Sequence, residues 1–192
     1  DAPKVVKSFI EIVPSDTVKY EADKETGYLM IDRPQKFSNI IPALYGFIPQ
    51  TYCGDNVAEK SRKTLKRENI VGDSDPLDIC ILTEKEITHG DILVHARPIG
   101  GFRMIDGEEA DDKIIAVLFR DALYSQYKDI SEVPEPIVRR LKHYFLTYKD
   151  MPDEHRDCEI THTYNTEEAR DLINRSRKDY QNYVEDLLFS AQ

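Results

Sequence analysis

What most limits the fold of this chain is its punctuation. Up to residue 118 the apolar runs are short, and turn residues stop each one before it reaches the length of a typical helix. Residues 5–13 read as a strand ended by Pro14-Ser15-Asp16. Residues 18–21 and 28–33 read as the arms of a hairpin turning at Lys24-Glu25-Thr26-Gly27. Alternation places Phe9 with Glu11 on one face and Ile10 with Ile12 on the other, and it sets Lys19 beside Glu21. Residues 40–48, broken by Pro42 and Gly46, suit an irregular buried strand. Residues 92–101 suit a kinked strand, and residues 113–118 pair back after a turn at 107–112. Short strands with such turns predict a small barrel or a strongly curled sheet rather than a βαβ repeat.

The last third changes period. Pro134 and Pro136 suit a helix start, where the missing N–H costs nothing. Ile137, Leu141, Tyr144, Phe145 and Tyr148 then form one apolar stripe. Asn165 is placed to cap a second helix, with Glu168 as its reciprocal partner. Leu172, Ile173, Val184 and Leu188 belong to that helix's apolar face, while Arg170, Arg175, Arg177 and Lys178 are expected in solvent. The expected class is mainly β with flanking helices, in one domain over residues 1–192.

Composition removes several function classes. A net charge of -10 opposes broad binding to nucleic acid or to an anionic membrane. The basic run Lys60-Ser61-Arg62-Lys63-Thr64-Leu65-Lys66-Arg67 has no interleaved aromatic residues and reads as a solvated helix or hairpin arm. Cys53, Cys80 and Cys158 are odd in number and far apart, which is no disulfide framework. No stretch has the length of a membrane span or the pattern of a leader, so a cytoplasmic location is expected.

The chemistry gathers at Gly72-Asp73-Ser74-Asp75-Pro76-Leu77-Asp78, immediately before the apolar run Ile79-Cys80-Ile81-Leu82. Carboxylates this close repel one another unless a cation sits among them. Alone, the stretch fits either an acidic surface turn or a site for a hard divalent ion. A second acidic group, Asp106 and Asp111, lies at another strand end. The cations Lys19, Arg33, Lys113 and Lys149 fall next to possible site elements. Carboxylates for metal, ringed by Lys and Arg, describe a phosphate-handling centre. The chain has no GxxxxGK[ST] loop, GxGxxG fingerprint, EF-hand loop, HExxH motif or GxSxG elbow.

On these residues the sequence resembles the family I soluble inorganic pyrophosphatases. The resemblance is carried by Ile10-Glu11-Ile12, Lys19-Tyr20-Glu21, Asp32-Arg33 and Tyr45-Gly46, by the DxDPxD match at Asp73 to Asp78, by the stretch from Asp106 to Lys113, and by Tyr148-Lys149-Asp150. It implies a five-stranded OB-like β-barrel with two main C-terminal helices. It also implies hydrolysis of diphosphate to two orthophosphates by direct attack of metal-activated water, with several Mg²⁺ ions per site and Mn²⁺ as a substitute. Under it, Asp73, Asp78 and Asp111 bind the first metal and Asp78 bridges to a second. Asp106 and Asp111 help bind metal brought with substrate, and Glu11 and Glu21 act mainly through water. Asp75 is the general base, and Tyr45 supports the base and its hydrogen bonds. Lys19, Arg33, Lys113, Tyr148 and Lys149 bind phosphate. A homo-oligomer is implied, a hexamer before a dimer.

Two departures stand out. Many bacterial members carry a tyrosine where this chain has Ile41. The basic insertion at about residues 50–68 is longer than in compact members, and is expected to alter assembly or substrate access rather than reaction type. The rival readings are an enzyme acting on another phosphoanhydride and a non-catalytic OB-like binding module.

Overall fold

A ring of strands forms where the sequence is most punctuated. The computed structural model describes residues 1–34, 38–149 and 157–190, with only the backbone of Arg33. The strands are β1 (Val6–Ile12), β2 (Val18–Ala22), β3 (Leu29–Pro34), β4 (Leu44–Phe47), β5 (Val71–Gly72), β6 (Asp78–Leu82), β7 (Ile92–Asp106), β8 (Glu109–Ala110), β9 (Lys113–Leu118) and β10 (Cys158–Asn165). The helices are α1 (Asp55–Leu65), α2 (Glu135–Thr147) and α3 (Thr166–Ser190). Pairing runs β1-β4-β6-β9-β7, and β7 pairs back onto β1, which closes a five-stranded barrel. Closure removes the free edges that a small sheet would otherwise expose. The expected barrel is therefore present. Outside it, β2 and β3 form a separate hairpin, and β10 lies along β7. Among the described residues no helix is long and apolar enough to cross a membrane.

Alternation along the ring divides the apolar residues into two cores. Ile79 and Ile81 of β6, Ile114 and Ala116 of β9, Leu44, Ile10 and Ala96 share one, with Leu172 and Ile173 of α3. All five ring strands contribute to it, so it fills the barrel. Cys80, Leu82, Ile115 and Val117 face the other way and pack under Leu141, Tyr144 and Phe145 of α2. Ile41 is 2% exposed in this second core, a packing role in which a hydroxyl has no part. At Gly46, β4 presses on β1 so closely that a Cβ would stand 1.8 Å from the Phe9 carbonyl oxygen.

Three expectations need correction. Ile10 and Ile12 do not share a face: the β1–β4 register shifts between them, and they belong to different cores. A bulge adds one residue and so reverses the alternation beyond it. The last third is not wholly helical either, because β10 pairs with β7 from Cys158 to Asn165. The cap of α3 is half of the expected box. The Glu168 N–H donates to Asn165 Oδ1 at 3.0 Å, but the Glu168 carboxylate takes Arg103 at 3.2 Å instead of reaching back. A charge-assisted bond to a buried guanidinium is the stronger of the two choices.

The helix expected to start at Pro134 and Pro136 is present as α2, with Pro134 at the cap and Pro136 in the first turn. Beyond β9, Asp121 organises the next turn. Its carboxylate accepts from Thr83 Oγ1 (2.6 Å) and from the N–H groups of Glu84, Leu123 and Tyr124 (3.0, 3.0 and 2.7 Å). Burial works against its charge, yet these bonds together hold its pKa below the usual carboxylate value. A depressed pKa stabilises the fold above the unfolded value and loses that contribution as pH falls through the folded one. Asp121→Asn should therefore cost about 1–3 kcal/mol at neutral pH. In urea unfolding at several pH values, the gap from the parent should narrow below about pH 4; a gap constant with pH would contradict this.

Candidate active site

The carboxylates come together because strand starts meet at one place on the barrel wall. Asp78 opens β6 and Lys113 opens the parallel neighbour β9. Both have the parity of the residues packed under α2, so both side chains emerge on the outer wall. Tyr45 of β4 lies on that side too, against Phe145 at 5.9 Å between ring centroids. Asp73 and Asp75 sit on the loop before β6, whose Ser74 has a φ of 63°. Glu11, at the bulge of β1, accepts the Ala22 N–H at 2.9 Å and ties the β2–β3 hairpin across the opening. The result is a cavity of about 330 Å³ lined by Glu11, Lys19, Glu21, Lys24, Tyr45, Asp73, Asp75, Asp78 and Asp111, among others.

Lysines hold the acids apart. The Lys113 ammonium, 3% exposed, donates to both Asp78 and Asp111. Lys19 pairs with Glu21 at 3.0 Å and with Asp32 at 3.2 Å. Lys149 pairs with Asp106 at 2.9 Å. These two are not among the residues lining the cavity, but Lys149 also acts on Asp111. Tyr45 donates its hydroxyl to Asp78 rather than to Asp75. Tyr148, half-buried at the end of α2, stacks on Tyr144 with centroids 5.0 Å apart. The side chain of Arg33 and all of Asp150 lie outside the described residues.

Excess negative charge is the site's main electrostatic fact. Burial, with Asp111 and Asp78 nearby, pushes Asp73 up to about 8. Burial chiefly, then Asp78, pushes Glu11 up to about 7. Asp111 is raised by burial and by Asp78, against the pull of Lys113. Burial works against the charge of Lys113, but Asp111 and Asp78 outweigh it and keep the ammonium protonated. Tyr45 is raised by burial and by Asp78, so it stays a donor. A cluster that resists ionisation in this way is relieved by added positive charge, and its oxygen donors suit a hard divalent ion. Side-chain chemistry thus fits a metal. Among the described residues, no three Asp, Glu, His or Cys groups meet around one point.

Sequence reasoning missed Lys24. It read as a turn residue, yet its ammonium pairs with the Asp75 carboxylate across the mouth of the cavity. No local spacing links residues 24 and 75. That contact depends on how the hairpin folds over the barrel.

Comparison with known proteins identifies the family of the chain. The sequence model of a family described as Pyrophosphatase: Inorganic pyrophosphatase matches residues 8–181. An inorganic pyrophosphatase of Chlamydia trachomatis is 55% identical over 179 residues, 91% of this chain and 86% of the relative. A soluble inorganic pyrophosphatase of Zea mays is 35% identical across 96% of this chain and 76% of the relative. In three dimensions, the crystal structure of the inorganic pyrophosphatase from Thermus thermophilus matches with a TM-score of 0.78 at 27% identity, covering 94% of each chain. A match that runs from β1 into α3, around a cavity whose acids and lysines come from strands far apart in sequence, makes this chain a member of the inorganic pyrophosphatase family.

Proposed function

We propose that this chain hydrolyses diphosphate to two orthophosphates, with Mg²⁺ as its natural ion and Mn²⁺ as a substitute. The observation that carries the reading is the meeting of Asp73, Asp75, Asp78 and Asp111 with Lys113 and Lys19 around one cavity. Asp73, Asp78 and Asp111 would hold the ion, joined by Asp106 for ions arriving with substrate and by Glu11 and Glu21 through water. When bound, a divalent ion supplies a water of lowered pKa and a counter-charge for the phosphoryl oxygens.

The chain's own groups do the rest. Asp75, the carboxylate at the mouth, takes the proton from the attacking water. Lys19, Lys113 and Lys149, with Arg33, neutralise charge gathering on the phosphoryl oxygens. Tyr148 stands beside Lys149 to donate to the same oxygens. Tyr45 fixes Asp78 through its hydroxyl and so keeps that carboxylate aimed into the cavity. The place of action is the cytoplasm, and assembly of copies into a hexamer, or otherwise a dimer, is part of the same reading.

Phosphate release is the direct test. With Mg²⁺, diphosphate should be cleaved far faster than nucleoside triphosphates or phosphomonoesters. Excess chelator should abolish the activity, and returned Mg²⁺ should restore it. Equal rates on nucleotides, or full activity with chelator, would defeat the proposal.

A further inference from the structure

Asp75 is exposed and has little packing of its own, yet a base must be held in place. What holds it lies outside the cavity. Residues 51–54, immediately before α1, run beside the loop and bond to its backbone. The Cys53 N–H donates to the Asp75 carbonyl oxygen at 2.8 Å, and the Cys53 carbonyl accepts the Ser74 N–H at 3.1 Å. Thr51 Oγ1 accepts the Leu77 N–H at 2.9 Å, itself anchored by donating to the Ile48 carbonyl at 2.5 Å. The approach is so close that a Cβ at Gly72 would stand 2.0 Å from the Cys53 carbonyl oxygen.

This strap is fixed from its other side by α3. The Tyr52 N–H donates to the Ser176 carbonyl at 3.0 Å. The helix cap of α1 is Gly54, which has no side chain to satisfy the first-turn donors. Asp179 of α3 supplies it instead. Its carboxylate, 5% exposed, accepts the N–H groups of Gly54, Asn56 and Val57, each at 3.1 Å, and Asn56 Nδ2 at 2.6 Å. One carboxylate therefore fixes both the start of α1 and the strap bonded to the Asp75 loop.

From this chain of contacts we infer that Asp179 is a positioning residue for catalysis, acting through the 51–54 strap on Asp75. The basic insertion then braces the base loop, a role beyond the expected effect on assembly or access. The inference rests on Asp75 being the base of the proposed reaction, so its test has a readout that does not need that role.

Asp179→Ala should lower kcat about 10-fold or more while KM for Mg²⁺–diphosphate stays within about threefold, since small displacements cost rate more than binding. Asp179→Asn keeps one acceptor oxygen but turns an NH2 group toward two of the four donors, so it should recover only part of the rate. Added to Asp75→Asn, Asp179→Ala should cost little more, because both act on one group. Amide exchange at Ser74 and Leu77 should quicken in Asp179→Ala. Lys60→Met removes ion pairs joining α1 to α3 away from the strap (Asp171 at 3.2 Å, Glu168 at 3.8 Å), and should leave kcat and that exchange unchanged. Should Asp179→Ala not fold, Thr51→Val loosens the strap from the loop side and should give the same split. Unchanged exchange at Ser74 and Leu77, or losses that add in full to those of Asp75→Asn, would overturn the brace. If Asp75→Asn alone kept the parent rate, the base assignment would fall, and the exchange rates would still decide whether the strap holds the loop.

Discussion

Asp75→Asn is expected to lower kcat by about 10²–10⁴-fold, the usual span for loss of a general base. It should also leave the fold and divalent-ion binding nearly as they were. The structure separates these effects. Asp75 is exposed, and its carboxylate meets only Lys24 among the bonds found for it in the described residues. An ion pair that open to water contributes about 0–1 kcal/mol, so stability should barely move. The loop's shape comes from backbone bonds to Cys53 and from the Asp75 N–H donating to Asp73 Oδ1 at 2.9 Å, all of which an Asn retains. What Asn lacks is a site for a proton at working pH. The neighbouring acids differ in kind. Burial and nearby carboxylates make Asp73 and Asp111 resist ionisation, Asp73 through Asp111 and Asp78 and Asp111 through Asp78, so Asp73→Asn should weaken ion binding first and lower rate as a consequence. The check is a pH–rate profile of Asp75→Asn at saturating Mg²⁺, with ion affinity measured beside it. A profile unchanged in height and shape, or an affinity loss as large as that of Asp73→Asn, would remove Asp75 from the role.

The candidate site was legible where chemistry is local. Asp73, Asp75 and Asp78 lie within one turn and one strand start, so their spacing marked them as a candidate, and the other acids and cations decided between an ion site and a surface turn. Asp106, Asp111 and Lys113 gave the same signal at the next hairpin. Helix α2 was legible because prolines and a regular stripe both point to it. The failures come from interactions that spacing does not encode. A bulge reversed the face of Ile12 relative to Ile10. β10 hid between two helices because its alternation, Ile160, His162 and Tyr164, is partly polar and is itself offset by a register shift. Arg175, read as solvated, bonds the Asn56 carbonyl and Glu59 of α1, each at 3.1 Å. Lys24 and Asp179 reach groups 51 and 125 residues away. Each of these contacts exists only once the barrel has closed and α3 has docked.

The other large effect concerns Arg103, which no sequence signal marked. Its guanidinium is wholly buried on β7, and it joins three elements below the site. Nε donates to Asp112 Oδ1 and Oδ2 at 3.1 and 3.0 Å, one terminal nitrogen to Thr64 Oγ1 of α1 at 3.2 Å, and the other to Glu168 of α3 at 3.2 Å. The Tyr164 ring lies 5.4 Å away. Burial already pushes Asp112 up to about 6 even with Arg103 beside it. Arg103→Met leaves that carboxylate buried and unpaired, which costs about 3–5 kcal/mol. Against a total stability of about 5–15 kcal/mol, that is enough to unfold a large fraction of the chain on modest warming. Without the arginine the folded pKa of Asp112 rises further. Stability from a raised carboxyl is present at low pH and lost as pH climbs through it, so the deficit should grow from acid toward neutral pH. Removing the second charge should reverse most of the damage: Arg103→Met with Asp112→Asn ought to be clearly more stable than Arg103→Met alone, because no uncompensated charge stays buried. Urea midpoints of the two variants decide it. A single variant within about 1 kcal/mol of the parent would show that the pair carries little, and a double variant no better than the single would place the loss in Thr64, Glu168 and packing rather than in the stranded charge.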